Sequence, residues 1–271
     1  MWAFAASFPR GQGRLAIAMR FVDLHCHLLP GLDDGPASLQ ETVEMLRFAY
    51  QRRTRGIVAT PHVFQPMFST PGPVELHDAF TGLMKHLHQL SDDPEHSFLG
   101  EMAIYLGSEN LFSPEFLEAV ANREVVALIG SRYLLVEFPP FLSYHFVESA
   151  IEQILAVELI PVLAHVERYE FFHRRPGRLG NLRQRGCVIQ INAESLEEGS
   201  LGEQARLAQS LTRRGLLDVI ASDGHDVGAR PPDMQGAFER LSKGFPEESL
   251  HTWMWENPVR ILGNRDLVSV Y

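Results

Sequence analysis

Seven short apolar runs, separated by segments of helical spacing and each leading into a polar side chain, restrict what this chain can fold into more than any other feature. The first begins at Phe21 and delivers His25 and His27; the others are 56–60, 102–106, 133–136, 160–164, 187–191 and 217–221. Runs of this length bounded by turn residues read as buried strands. Between them, periodicity predicts helices over about 39–53, 74–90, 114–121, 144–157, 178–185 and 203–214, the first opened by a capping box at Ser38-Leu-Gln-Glu41. Parallel strands need such crossovers, so the alternation dictates an α/β fold. Polar groups just past successive strand ends are the organisation of a β/α barrel, whose loops gather them on one face.

No linker or repeat divides 21–271, which reads as one domain closed by helices over 234–262. Residues 1–20 read as an extension. They hold no run of membrane-spanning length, and Arg10 and Arg14 follow the first apolar patch instead of preceding it, the reverse of a signal peptide. Met19, two residues before the first strand, is an alternative start, which would make the leader a mis-assigned segment.

The chemistry lies at the strand ends. His25 and His27 stand i and i+2 on a strand, so both imidazoles point the same way, and the turn after them carries Asp33 and Asp34. Later runs deliver His62, Glu109, Glu137, His165, Asn192, Asp223 and His225. Of the 12 histidines, five therefore sit at strand ends, whereas His77, His86 and His88 fall on the wet face of a helix. Imidazoles and carboxylates without a thiolate suit Mn²⁺, Fe or Zn²⁺, and eight or nine donors exceed the needs of one ion. Clustered metals acidify a shared water and clamp phosphoryl oxygens, the chemistry of phosphoester hydrolysis. Arg168 and Arg230, each just beyond a ligand-bearing strand end, offer guanidinium forks that match phosphate.

Composition narrows the choice. A formal charge of −10 disfavours a nucleic-acid surface, so an anionic substrate needs a local positive site. Cys26 and Cys187 form no disulfide framework or CxxC pair, which fits a reducing cytoplasm. A cysteine-dependent phosphatase needs Arg six positions after its nucleophile, and those positions hold Leu32 and Ala193.

Seven motifs together resemble those of the polymerase and histidinol phosphatase (PHP) superfamily, and specifically the bacterial tyrosine-protein phosphatases of capsule and exopolysaccharide loci, the CpsB/YwqE type. They are DLHCH at 23–27, DDGP at 33–36, TPH at 60–62, SRYLLVEF at 131–138, AHVERY at 164–169, ASDGH at 221–225 and GARPP at 228–232. The resemblance runs from about Phe21 to the C-terminus. It implies a distorted seven-stranded, TIM-like barrel with three metal ions, Mn foremost, held by His25, His27, Asp34, His62, Glu109, Glu137, His165, Asp223 and His225. It further implies phosphate binding by Arg168 and Arg230, catalysis by these two with Asp223, and a substrate phosphotyrosine in the tail of a membrane-associated tyrosine autokinase that regulates polysaccharide export. Neither nucleic-acid binding nor direct membrane insertion is expected. A small-molecule phosphatase such as a histidinol-phosphatase is the rival on the same scaffold. A non-catalytic binding module would require eroded ligands, and all nine are present. The departures are the leader, Cys26, and a Pro-rich segment at 137–144.

Overall fold

The computed structural model describes residues 19–68, 71–140 and 142–270. The expected extension therefore lies outside the described residues, except for Met19 and Arg20; Met19 is buried in the largest core cluster.

The first apolar run becomes β1 (Phe21–Cys26), with all six residues buried. α1 (Leu39–Gln51) returns the chain to β2 (Thr54–Ala59) and the two-residue β3 (His62–Val63). Its cap differs in one detail from the expected box. Ser38 Oγ accepts the Glu41 N–H at 3.3 Å as expected, but the Glu41 carboxylate reaches past Ser38 to accept the Ala37 N–H at 2.7 Å. After α2 (Pro73–Leu90) come β4 (Ala103–Leu106), β5 (Glu109–Leu111), α3 (Pro114–Asn122), β6 (Tyr133–Glu137) and α4 (Tyr144–Ala156). β7 (Ile160–Leu163), α5 (Glu170–His173), α6 (Gly177–Gln184), β8 (Val188–Asn192), α7 (Gly202–Arg213) and β9 (Val219–Ala221) complete the alternation. The tail forms α8 (Gln235–Leu241), α9 (Glu247–His251), a π-turn over Thr252–Glu256 and α10 (Asn257–Leu262).

All strand pairs are parallel, in the orders β1-β2-β4 and β3-β5-β6-β7-β8-β9. Where seven runs were expected, the described residues hold nine strands, because two runs are interrupted and resume. Pro61, without an N–H to donate, separates β2 from β3. Gly107-Ser108 separates β4 from β5, and a Cβ on Gly107 would meet the Leu128 side chain at 2.7 Å. Backbone bonds continue across both breaks, from Gly107 N–H to Ala59 O at 2.9 Å and from Glu109 N–H to Pro61 O at 3.0 Å. The result is a mixed α/β fold with a curled parallel sheet.

Packing follows the strand alternation. Leu134 and Val136 join the largest cluster with Ile151 and Ile154 of α4, while Tyr133 and Leu135 join a smaller one with Val162 and Val188. Ile189 and Ile191 belong to the large cluster, so Gln190 and Asn192 share a face with Val188. Among the described residues no helix is long and apolar enough to cross a membrane.

The last strand curls back to the first. Asp223 N–H donates to His25 O and His27 N–H to Gly224 O, each at 2.8 Å. Asp23, fully buried, accepts the Ser222 N–H at 2.9 Å and the His25 N–H at 3.2 Å, and also bonds the Ser222 hydroxyl. Asp23→Ala strands these donors in the interior and is predicted to lower the unfolding free energy by about 2–4 kcal/mol. Equilibrium urea unfolding of the metal-free protein measures it; an unchanged midpoint would contradict this closure.

Candidate metal centre

The strand ends bring all nine expected donor residues together. The Nε2 atoms of His25 and His27 lie 3.4 Å apart. His25 Nε2 is 3.2 Å from both Glu109 Oε2 and Asp223 Oδ1, and His27 Nε2 is 3.4 and 3.5 Å from the same oxygens. His62 places Nδ1 3.0 Å from Glu109 Oε2 and Nε2 3.5 Å from Asp34 Oδ1. His225 Nε2 is 3.2 Å from that Asp34 oxygen, and the His225 ring stacks on His27 with centroids 3.8 Å apart. His165 Nε2 lies 2.8 Å from Glu109 Oε1 and 3.8 Å from Glu137 Oε1. Three donor groups are compact enough for an ion, with ligand atoms within 4.8 Å of one another: His27, Asp34, His62 and His225; His25, His27, Glu109 and Asp223; and His62, Glu109 and Glu137.

The outer atoms decide which way the lone pairs face. His27 Nδ1 is 2.7 Å from Asp33 Oδ2, His225 Nδ1 is 2.7 Å from Asp223 O, and His25 Nδ1 is 3.3 Å from Gln190 Oε1. Each outer partner accepts, so the tautomer satisfying it carries its proton on Nδ1 and leaves the Nε2 lone pair facing the cluster. Inward, His62 Nδ1, His225 Nε2, Glu109 Oε2 and Glu137 Oε2 are buried with no well-aligned hydrogen-bond partner among the described residues. Electron pairs aimed at one another in the interior are costly unless a cation sits between them, so the donor set fits divalent metal.

The same crowding shifts the titration of these groups when no cation is present. Burial, and then the charge of Glu109, push Glu137 up to about 7. Burial works against a charged His25, but Glu109 and Asp223 beside it raise its pKa to about 8. Burial and the neighbouring Arg168 hold His165 below the usual imidazole value.

Two of these residues sit in left-handed backbone, His165 at φ 33° and Asp223 at φ 58°, a conformation costly for non-glycine residues and concentrated at functional sites. Buried bonds hold both: His165 N–H donates to Gln190 Oε1 and Asp223 N–H to His25 O, each at 2.8 Å. Both expected arginines reach the edge of the cluster. Arg168 bonds Asp223 Oδ2 at 2.8 Å and Arg230 bonds Asp34 Oδ2 at 2.6 Å, with about a third of each arginine side chain open to solvent. Arg230 ends a tight turn in which Asp226 Oδ1 accepts the Gly228 and Ala229 N–H groups at 2.6 Å. The turn packs on Gly224, where a Cβ would lie 2.8 Å from Pro232, which is why glycine follows Asp223.

Asp33, Gln190 and Asn192 are functional neighbours that the ligand set leaves out. Asp33 and Asp34 are adjacent in sequence but divide the labour: Asp33 accepts from His27 and from the His62 N–H at 2.9 Å, while Asp34 faces His62 and His225. For Gln190 and Asn192 the available signal was two amides at i and i+2 in an otherwise apolar strand. His77 and His86 are exposed and bond their own helix, and His88 is exposed as expected. Both cysteines are buried; burial pushes the Cys187 thiol up to about 12 and the Cys26 thiol well above its usual value, the opposite of an activated nucleophile.

A parallel α/β scaffold whose strand ends carry convergent imidazoles and carboxylates, flanked by arginines, defines the class of metal-dependent hydrolases that act on anionic esters. Within that class, the family described as "Capsular polysaccharide synthesis, CpsB/CapC" matches residues 21–263, and the chain belongs to it. Tyrosine-protein phosphatase CpsB of Streptococcus pneumoniae is 30% identical over 246 residues, covering 89% of this chain and 98% of the relative. Tyrosine-protein phosphatase YwqE of Bacillus subtilis (strain 168) is 32% identical over 248 residues, covering 91% and 93%. A chain from the crystal structures of YwqE and CpsB, described as unique metal-dependent tyrosine phosphatases, superposes with a TM-score of 0.81 at 28% identity, covering 92% of this chain and 96% of that one.

Filling the cluster should stabilise the fold, since an ion that binds only the native state shifts unfolding by mass action. Chelator-treated protein is predicted to melt lower than protein titrated with Mn²⁺, Fe²⁺ or Zn²⁺, with a saturable rise in Tm. His165→Ala should reduce bound metal measured by elemental analysis. A Tm indifferent to every divalent ion would contradict the assignment.

Proposed function

We propose that this chain is a metal-dependent protein-tyrosine phosphatase that hydrolyses phosphotyrosine in the tail of a membrane-associated tyrosine autokinase, and so regulates capsular or exopolysaccharide synthesis from the cytoplasm. The observation that carries this reading is the convergence of five imidazoles and four carboxylates beside two arginines, in a chain whose relatives are named tyrosine-protein phosphatases. Its finer form has three ions, Mn foremost, held by the nine residues His25, His27, Asp34, His62, Glu109, Glu137, His165, Asp223 and His225. It treats β2 with β3, and β4 with β5, as two interrupted strands, so that residues 21–271 form one domain around a distorted seven-stranded barrel. The bonds from Asp223 and Gly224 back to β1 support such closure.

Bound metal would supply a water acidic enough to attack phosphorus at neutral pH, together with positive charge for the phosphoryl oxygens. The chain's own residues do the rest. Arg168 and Arg230 stand on opposite carboxylates of the cluster, Asp223 and Asp34, and are open enough to exchange part of that contact for phosphate oxygens. Their guanidinium forks then hold the charge that develops in the transition state. Asp223 links the two functions, with Oδ1 toward His25 and His27 and Oδ2 toward Arg168. Tyrosine is an undemanding leaving group, because its phenolate has a conjugate-acid pKa of about 10. Protonating it demands less of a general acid than an alkoxide would, so a nearby imidazole suffices.

The arginines and the metal ligands should fail differently. Arg168→Ala and Arg230→Ala are predicted to keep bound metal while losing a charge-assisted contact of about 1.5–3 kcal/mol, roughly a tenfold to hundredfold fall in kcat/KM. Arg→Lys should rescue only partly, because a point charge lacks the bidentate fork. Replacing Cys26 and Cys187 together with Ser should leave hydrolysis largely intact. The deciding assay compares a phosphotyrosyl peptide, a phosphoseryl peptide and histidinol phosphate before and after chelation. Preference for the first, lost on chelation and restored by Mn²⁺, is expected; preference for histidinol phosphate would favour a small-molecule phosphatase.

A further inference from the structure

Two buried amides on β8 form a circuit that the ligand set does not include. Gln190 is fully buried and Asn192 is 2% exposed, on a strand whose remaining residues are Val188, Ile189 and Ile191. Buried amides are kept only where each donor and acceptor is used, and here each partner belongs to the centre. Gln190 Oε1 accepts the His165 N–H at 2.8 Å and lies 3.3 Å from His25 Nδ1. Its Nε2 donates to Asn192 Oδ1 at 2.9 Å, and Asn192 Nδ2 donates to Asp223 Oδ2, also at 2.9 Å. Asp223 Oδ1 then lies 3.2 Å from His25 Nε2, which closes the loop on the imidazole where it began.

We propose that Gln190 and Asn192 are positioning residues, a directional amide relay that fixes the tautomer of His25 and the rotation of Asp223 so that both offer a lone pair to metal; this rests on the metal-centre reading above. Direction matters because an amide has a donor end and an acceptor end. Gln190 uses its oxygen for His25 and His165, which leaves only its NH₂ for Asn192. Asn192 must therefore present its oxygen to Gln190 and its NH₂ to the carboxylate. The proton on the neutral His25 ring is held at Nδ1, outside the cluster, and one Asp223 oxygen is tied back, by Asn192 from within and Arg168 from the edge, while the other is left for the ion. The relay also supports His165, whose N–H would otherwise lose its acceptor in a left-handed turn at φ 33°.

The test uses the full-length chain, with Mn²⁺ affinity measured by competition against a fluorescent chelator and histidine tautomers read by ¹⁵N NMR of the metal-free protein at a pH high enough to make His25 neutral. Wild type should bind Mn²⁺ and show His25 protonated at Nδ1. Gln190→Met is expected to weaken Mn²⁺ binding roughly tenfold to hundredfold, the range for outer partners of metal ligands, and to release the His25 tautomer. Asn192→Leu should weaken binding comparably but leave the tautomer in place, since it cuts only the Asp223 arm. The double variant should be little worse than Gln190→Met alone, because one break already opens the circuit. Wild-type affinity in both single variants would overturn the relay, even if their melting temperatures fall. Should Gln190→Met fail to fold, Asn192→Leu still decides, because unchanged affinity there removes the Asp223 arm. Failure of wild type to bind any divalent ion would overturn the metal reading and the relay with it.

Discussion

One buried carboxylate organises this structure. Imidazole nitrogens of His25, His27, His62 and His165 all lie within 3.4 Å of the Glu109 oxygens, and Glu109 is fully buried. His25 and His27 are also held from outside, by acceptors at Nδ1. Charges and lone pairs gathered in this way cost several kcal/mol each unless a counter-charge joins them. The fold therefore spends stability on a site that a cation completes. Strained backbone at His165 and Asp223 belongs to the same arrangement, held by the packing around it.

What makes the convergence achievable is a parallel sheet that curls and breaks in the right places. Because every strand runs the same way, their C-terminal ends share one face. Interruption at Thr60-Pro61 and at Gly107-Ser108 shifts His62 and Glu109 into short strands of their own, where they are paired residues in the ladder. Asp23 and Ser222 join the last strand to the first, so His25, His27, Asp223 and His225 meet although nearly two hundred residues separate them. The chain is acidic overall, yet Arg168 and Arg230 place positive charge at the edge of the cluster, on Asp223 and Asp34.

Most of the scaffold was legible because long, periodic segments report their own structure. α1, α4, α6 and α7 end within two residues of the positions that apolar spacing indicates. β3 and β5 were not, because strands of two and three residues carry no period to read and depend on pairing with each other. The 3-10 turn over Pro94–Glu101 was likewise invisible, since its bonds are local and its composition is polar. At the site, imidazoles at strand ends were readable one by one, whereas the roles of neighbours were not. Asp33 and Asp34 differ only in which way a turn points them. Gln190 and Asn192 resemble polar punctuation in a buried strand until the partners supplied by β1, β7 and the turn after β9 are known.

The central claim, that these nine side chains form a metal centre, is tested most directly by anomalous X-ray diffraction from crystals grown with Mn²⁺ and recorded on both sides of the metal absorption edge. The structure predicts edge-dependent peaks enclosed by His25, His27, Asp34, His62, Glu109, Glu137, His165, Asp223 and His225. Well-ordered side chains around an enclosure with no anomalous density, in crystals whose Mn²⁺ content is verified, would contradict it.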